Sequence, residues 1–458
     1  MVRIESNRAF LDLRIDSGLV RADDLKTPMK LEGARVVVVG MARSGRAAME
    51  LLIEKGAGVV GVDNNPVPDL LVKPQTPEAF ADADLIVLSP GVPTDLSDLK
   101  DARRRGVPII GDLELASWFL RGDVAGITGS NGKTTTTALA GHILKESGIP
   151  VQVGGNIGTP PGSMVKTSRE GQWNVLELSS FQLETIDSFR ARVGAALNVT
   201  PDHLDRHYTL ERYAAAKGRL FENQTANDVA VLNADDPLTC GYAKTIRGTV
   251  LWFSSKSQVP AGAWLDGERI VLDNEPLMDA DEVPLRGRHN IENAMAAALI
   301  ARVAGAKQAQ IRKAVMSFPG VEHRLEFVRD LNGVAWYNDS KATNVDATLK
   351  AIDAFPGGLW VILGGKDKNT DYRPLIAPLR EKARGVLLIG AAAAKIEKQL
   401  AGAAPLISCE TLDAAVREAV TRAGKNEAVL LAPACASFDQ FENFEHRGRE
   451  FKRMVREL

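Results

Sequence analysis

Apolar runs alternate with amphipathic stretches along most of this chain, in three blocks. In the first, Arg35-Val36-Val37-Val38-Val39 reads as a buried strand ending in Gly40-Met41-Ala42-Arg43-Ser44-Gly45, and a helical pattern carries on over residues 46 to 55. Strands are predicted at 58 to 62 and 85 to 88, the latter running into the turn Ser89-Pro90-Gly91-Val92-Pro93. The second block opens on Val124-Ala125-Gly126-Ile127 and continues with strands at 174 to 178, 193 to 198 and 229 to 233. Short alternating runs rich in Gly and Pro from about 248 to 284 suggest a small β excursion before a helix at 290 to 304. The third block begins near Val321, with strands at 334 to 337, 360 to 363, 385 to 389 and 428 to 431. The pattern predicts an α/β protein of three domains: a Rossmann-like N-terminal domain at 33–120, a central P-loop ATPase-like domain with its β excursion at 121–320, and a Rossmann-like C-terminal domain at 321–458. Residues 1–32 form an extension to which no role is assigned.

Composition narrows the class. A chain of 458 residues exceeds one core by the usual prior of about 150 residues per domain. The charged residues nearly balance, with a net charge of −2 and no basic block, so nucleic acid and anionic membrane are not expected partners. No run of about 18 apolar residues is present, and the amino terminus resembles neither a signal nor a transit peptide, so a cytoplasmic location is expected. Cys240, Cys409 and Cys435 are few, scattered and odd in number, which suits reduced thiols.

The strongest chemical signal is TGSNGKTT, residues 128 to 135, set between a strand and a helix start. Gly129 and Gly132 let backbone N–H groups turn toward a polyanion, Lys133 can reach β/γ-phosphates, and the Thr134 hydroxyl suits Mg²⁺, so ATP binding is expected. The spacing departs from the strict P-loop, since Ile127 stands where its first glycine would be. The fingerprint after the first strand is also imperfect, because Ala42 replaces the glycine that admits a dinucleotide pyrophosphate; a nucleotide-sugar diphosphate suits the same helix start, with Asp63 facing the nucleoside. Glu177, at a strand end about two strands from the ATP loop, could hold a hard cation or serve as a structural acceptor. His203 and His207 stand four apart, but Leu204 replaces the general-base Glu of a zinc helix and no third ligand is evident. Lys217 would ordinarily be a solvated helix lysine, while the polar loops 339 to 344 and 364 to 368 and the block 437 to 444 all follow apolar strands. Rival readings are a nicotinamide oxidoreductase, opposed by Ala42 and the second nucleotide loop, and a non-catalytic nucleotide sensor, opposed by the retention of Lys133, Glu177 and His203.

Taken together, TGSNGKTT, LELSSFQLE, NVTPDHLDRH, YAAAKGRLFEN, GRHNIENAMAA, VEHRLEF, NDSKATN, LGGKDK and APACASFDQFENFEHRGREF resemble the Mur ligases over about residues 33 to 458, and within them the branch that adds D-glutamate. The ATP loop alone would also admit folylpolyglutamate synthases; the DSKATN and ACASFDQFENF blocks argue against them. The resemblance implies ATP-driven addition of D-glutamate to the L-alanyl carboxylate of UDP-N-acetylmuramoyl-L-alanine by a monomer, a cytoplasmic step of peptidoglycan synthesis and so of cell-wall growth, shape and division. It implies ATP contacts from Ser130, Asn131, Gly132, Lys133, Thr134, Thr135, Thr136, Asn293, Arg324, Asp339 and Lys341. Mg²⁺ would be held by Thr134, Glu177, His203 and a carbamylated Lys217, and Lys133, Glu177, His203 and Lys217 would carry the catalysis. Met41, Ala42, Arg43, Ser44, Asp63, Asn156 and Ser179 would bind the UDP substrate, and Thr343, Lys368, Ser437 and Phe444 the D-glutamate. At Asp63-Asn64-Asn65 the chain lacks the arginine that some relatives place near the uracil.

Overall fold

A computed structural model describes residues 29–458 apart from Pro68, so residues 1–28 of the expected extension lie outside the described residues. The α/β blocks form three sheets, in agreement with the expected fold class. In the first, parallel strands run in the order Gly58–Val62, Arg35–Val39, Leu85–Leu88, Ile109–Gly111. The four valines of the lead strand explain why it reads as continuous: Val36 and Val38 enter one apolar cluster, Val37 and Val39 another on the opposite face. The helix that follows spans Arg43–Glu54, starting three residues earlier than periodicity predicts. Its Gly45 permits this, because a Cβ there would fall 1.9 Å from the Gly40 carbonyl oxygen.

The central sheet has nine strands, in the order Glu275–Asp279, Arg269–Leu272, Gly262–Asp266, Thr249–Ser254, Val229–Asn233, Val193–Ala196, Asp123–Thr128, Trp173–Glu177, Val151–Gly155. The predicted β excursion does not stand apart. Its first strand pairs in parallel with Val229–Asn233 and carries the sheet outward. Phe253, Ala263, Ile270 and Leu272 then complete the same core as the alanine-rich helix Arg288–Val303, which is buried along most of its length between sheet and helix Lys133–Glu146. The third sheet runs Glu326–Leu331, Val334–Asn338, Ala428–Leu431, Leu359–Gly364, Ala383–Ile389, Leu406–Glu410, parallel except for the antiparallel hairpin of its first two strands.

The first and central sheets are joined by a buried carboxylate. Glu114, on helix Asp112–Ser117, accepts from the backbone N–H of Asp187 at 2.8 Å, Ser188 at 2.9 Å and Phe189 at 2.9 Å, from the Ser188 hydroxyl, and from Trp118 Nε1 at 2.9 Å. Nearby, Gly111 N–H donates to the Thr185 carbonyl at 3.1 Å. Helix Arg43–Glu54 lies so close to Pro161–Met164 that a Cβ on Gly162 would sit 3.1 Å from the Ala47 carbonyl. These contacts fix the cleft between the first two domains.

Candidate active site

The turn from strand Asp123–Thr128 into helix Lys133–Glu146 forms the loop that the sequence singles out. Gly132 adopts φ +85° at the helix N-cap, and a Cβ there would lie 2.3 Å from Asn293 Oδ1, so this position needs glycine for both its conformation and its space. Asn198 pins the loop from both sides, accepting from Asn131 N–H at 2.9 Å and donating to the Asn131 carbonyl at 3.1 Å. The Ser130 hydroxyl donates to the Thr200 carbonyl at 2.9 Å and accepts from Thr200 N–H at 2.9 Å. Thr135 and Thr136 are buried on the helix, with Thr136 Oγ1 3.3 Å from Asn293 Oδ1. Lys133 Nζ donates to the Gly129 and Ser130 carbonyls at 2.7 and 3.0 Å, and burial draws its ammonium below the usual lysine range.

Glu177 lies closer to this loop than the sequence suggests. Its strand, Trp173–Glu177, is hydrogen-bonded directly to Asp123–Thr128, not two strands away. A chain of polar contacts crosses the site: Arg324 Nη2 donates to Thr134 Oγ1 at 3.1 Å, Thr134 donates to Glu177 Oε2 at 2.8 Å, and Asn156 Nδ2 donates to Glu177 Oε1 at 3.0 Å. Lys217 is no solvated helix lysine. It is 1% exposed, its Nζ donates to the Gly129 carbonyl at 2.8 Å and stands 4.2 Å from the Tyr213 ring centre. Burial, reinforced by the nearby Lys133 ammonium, holds Lys217 well below the ordinary lysine range. His203, in a left-handed conformation at φ +53°, has its Nε2 3.7 Å from Asp202, and burial draws its imidazole below its usual value. His207 serves the scaffold instead: it bonds Ser180 Oγ at 2.9 Å and stacks on Phe181.

The third domain closes the other side of the loop. Asp339 is buried there beside the half-buried Arg324, and burial pushes the Asp339 carboxyl up to about 7 against the pull of Arg324. Lys341 stands 3.8 Å above the Phe444 ring, and burial brings its ammonium down to about 8. Ser437 is buried, its carbonyl accepting from Phe441 N–H at 2.9 Å, and Thr343 N–H donates to the Lys341 carbonyl at 2.8 Å. Lys368 is exposed, yet its charge reaches His203. The four residues predicted to contact glutamate, Thr343, Lys368, Ser437 and Phe444, all belong to this domain.

A separate cavity of about 540 Å³ opens between the first two domains, lined by Ala42, Arg43, Ser44, Asp63 and Asn156 among others, a size suited to a nucleotide. Met41 stays out of it, its side chain buried in the core. Asp63 accepts from Met41 N–H at 2.7 Å and Asn65 N–H at 2.9 Å, which holds its carboxyl below the usual range and shapes the loop as well as facing the cavity. The Ser179 hydroxyl accepts from Gln182 N–H at 3.2 Å as a helix cap. Sequence reasoning missed Asn198 as the loop's anchor, although its place at a strand end beside the ATP strand was a usable signal. Asp346 was missed too: its carboxylate accepts from Asn131 Nδ2 and from Thr200 Oγ1, the latter at 3.2 Å, and an acid in a first helical turn gives no such signal.

Among the described residues no cluster of three or more His, Cys, Asp and Glu side chains could hold a metal ion, and no helix is long and apolar enough to cross a membrane. The donors beside the loop, Thr134 and Glu177, are hard oxygens, which fit Mg²⁺ rather than zinc.

Comparison with known proteins identifies the family. Residues 34–111 match the Mur ligase MurD-like N-terminal domain, 127–301 the Mur ligase middle domain, and 323–435 the Mur ligase glutamate ligase domain. A UDP-N-acetylmuramoylalanine–D-glutamate ligase from Solibacter usitatus is 61% identical over 94% of this chain and 99% of its own length. The enzyme of that name from Koribacter versatilis is 49% identical over 94% and 99%. In three dimensions the fold resembles the UDP-N-acetylmuramate-alanine ligase of Thermotoga maritima, with TM-score 0.60 and 20% identity over 93% of this chain and 99% of that one. It also resembles a pseudomurein peptide ligase type C of Methanothermus fervidus, with TM-score 0.60 and 18% identity over 93% and 100%. With family matches in all three domains and relatives this similar along nearly the whole chain, the protein belongs to the Mur ligase family.

Proposed function

We propose that this chain joins D-glutamate to the L-alanyl carboxylate of UDP-N-acetylmuramoyl-L-alanine with conversion of ATP to ADP and phosphate, as the names of its relatives suggest. The observation that carries the reading is the convergence of Lys133, Thr134, Glu177, Lys217 and Arg324 on one phosphate-type loop between a fixed substrate cleft and the third domain. A carboxylate resists attack by an amine until its oxygen becomes a leaving group, so the reading includes activation as an acyl phosphate before D-glutamate adds. Lys133 would leave the Gly129 and Ser130 carbonyls to neutralise the migrating phosphoryl group, aided by Arg324. Thr134, Glu177 and His203, with Lys217 as a carbamate, would hold Mg²⁺, which offsets phosphate charge when bound. Asn293, Arg324, Asp339 and Lys341 would position the nucleotide, and the cavity around Ala42, Arg43, Ser44, Asp63 and Asn156 the UDP moiety. Thr343, Lys368, Ser437 and Phe444 would orient D-glutamate, with Lys368 meeting a carboxylate.

Phosphate release by the purified chain, measured with ATP, Mg²⁺ and the UDP-muramoyl substrate across a panel of amino acids, tests the reading. Turnover is expected only with D-glutamate, and to fall by at least about 10²-fold in Lys133→Ala. Equal turnover with L-glutamate or L-lysine would overturn it. The carbamate is tested by ¹³C NMR of the chain equilibrated with labelled bicarbonate: a carbamate signal absent from Lys217→Ala supports it, and spectra indistinguishable between the two proteins refute it.

A further inference from the structure

The third domain reaches the ATP loop through one carboxylate that the proposed chemistry does not use. Helix Val345–Asp353 is capped by Asn344, whose Oδ1 accepts from Ala347 N–H at 2.8 Å, and this sets the helix start against the central domain. Asn344 Nδ2 also donates to Asp202 Oδ2 at 3.2 Å, across the domain boundary. Asp346, in the first turn, thereby faces the loop. Its Oδ2 accepts from the Asn131 side-chain amide and from Thr200 Oγ1, and Lys350 Nζ, one turn on, lies 3.1 Å away as its counter-ion.

The loop residue it grips has no slack. Both backbone groups of Asn131 are held by Asn198, and its neighbours are Ser130, tied to Thr200, and Gly132, which has no room beside Asn293. A side chain fixed at its tip as well as at its backbone has one orientation, and the backbone N–H groups that follow it point where the loop directs them. Asn131 and Lys350 also line, with Gly132, His289 and Asn293, the small cavities between the central and third domains.

We propose that Asp346 is a positioning residue for the nucleotide: by gripping the Asn131 side-chain amide it fixes that side chain on the already ordered phosphate loop only while the third domain is docked. The proposal rests on the reading of this loop as the ATP site. It makes docking of the third domain and nucleotide binding one linked equilibrium, with Asp346 and Asn131 as the two halves of the link.

A double-mutant cycle tests this. Asp346→Ala should raise the KM for ATP by about tenfold while changing kcat less than about twofold, Asn131→Ala should raise the ATP KM at least as much, and the KM for the UDP substrate should move in neither. The double variant should be no worse than the more impaired single variant, because both remove the same link. Effects on the ATP KM that multiply, or a loss confined to kcat, would overturn the proposal. Failure of the ATP-site reading itself would look different: the wild-type chain would show no ATP-dependent ligation, or Lys133→Ala would retain it.

Discussion

The first and third domains differ in the strongest polar contact that attaches each to the central one. At the first junction a single carboxylate, Glu114, is buried with five donors around it, three of them backbone amides of the central domain. At the third, the links are part-exposed side-chain pairs: Asp346 with Asn131 and Thr200, Asn344 with Asp202, and Arg324 with Thr134. Backbone amides cannot turn away, so the first junction holds one geometry; side chains can release and rebind, so the second can open. The cavity proposed for the UDP moiety lies at the first junction and the loop proposed for ATP at the third, which is the arrangement expected if one substrate is held while domain movement shields the reacting groups from water.

This contrast can be broken at its strongest point first. Glu114→Ala leaves three backbone amides without their acceptor, that of Phe189 buried and those of Asp187 and Ser188 nearer water, and should cost about 2 to 4 kcal/mol, read from chemical denaturation; a loss under about 1 kcal/mol would show that the junction does not depend on the clamp. Two residues earlier, Asp112 is equally buried, and burial pushes its carboxyl up to about 6 from an ordinary 3.8 against the weaker pull of the Leu113 N–H and the Ser44 and Gln182 side chains. A carboxyl raised in the folded state costs stability above pH 6 and costs nothing below about pH 4. Asp112→Asn should therefore stabilise the chain by about 3 kcal/mol at pH 8, and this gain should vanish as pH falls to 4. A thermal-shift series for wild type and variant over that range checks the sign. The smallest effect belongs to the adjustable junction: Asp346→Ala should lower the same denaturation midpoint by less than about 1 kcal/mol, since its carboxylate is part-exposed and its partners can meet water.

Sheet order is invisible along the chain, but strand positions are not. Runs such as Leu85–Leu88, Val229–Asn233 and Ala428–Leu431 are bounded by the structure as periodicity bounds them, because burial on both faces demands unbroken apolar sequence. The phosphate loop was legible through its glycines, and Glu177 through its strand end. The 262 to 279 strands were legible as β structure but not as part of the nine-stranded central sheet, since pairing partners are not written in alternation. Glu114 carried no signal: in Asp-Leu-Glu-Leu it reads as an ordinary polar helix position, and its acceptors' partners lie 73 to 75 residues further on. Lys217 was legible only by resemblance, because nothing in Ala-Ala-Ala-Lys-Gly distinguishes a lysine pointing inward from one in solvent.

That inward lysine has a chemical consequence. Carbon dioxide reacts only with an amine that has shed its proton and so offers a lone pair, a form that an ordinary lysine almost never takes near neutral pH. The burial of Lys217 and the repulsion from Lys133 favour that uncharged form inside the protein. On the carbamate reading the side chain would act as a nucleophile by virtue of where it sits, and its modification would need no dedicated enzyme. The working form of this ligase would then be set by the dissolved CO₂ of its surroundings, a reactant that appears nowhere in the overall equation.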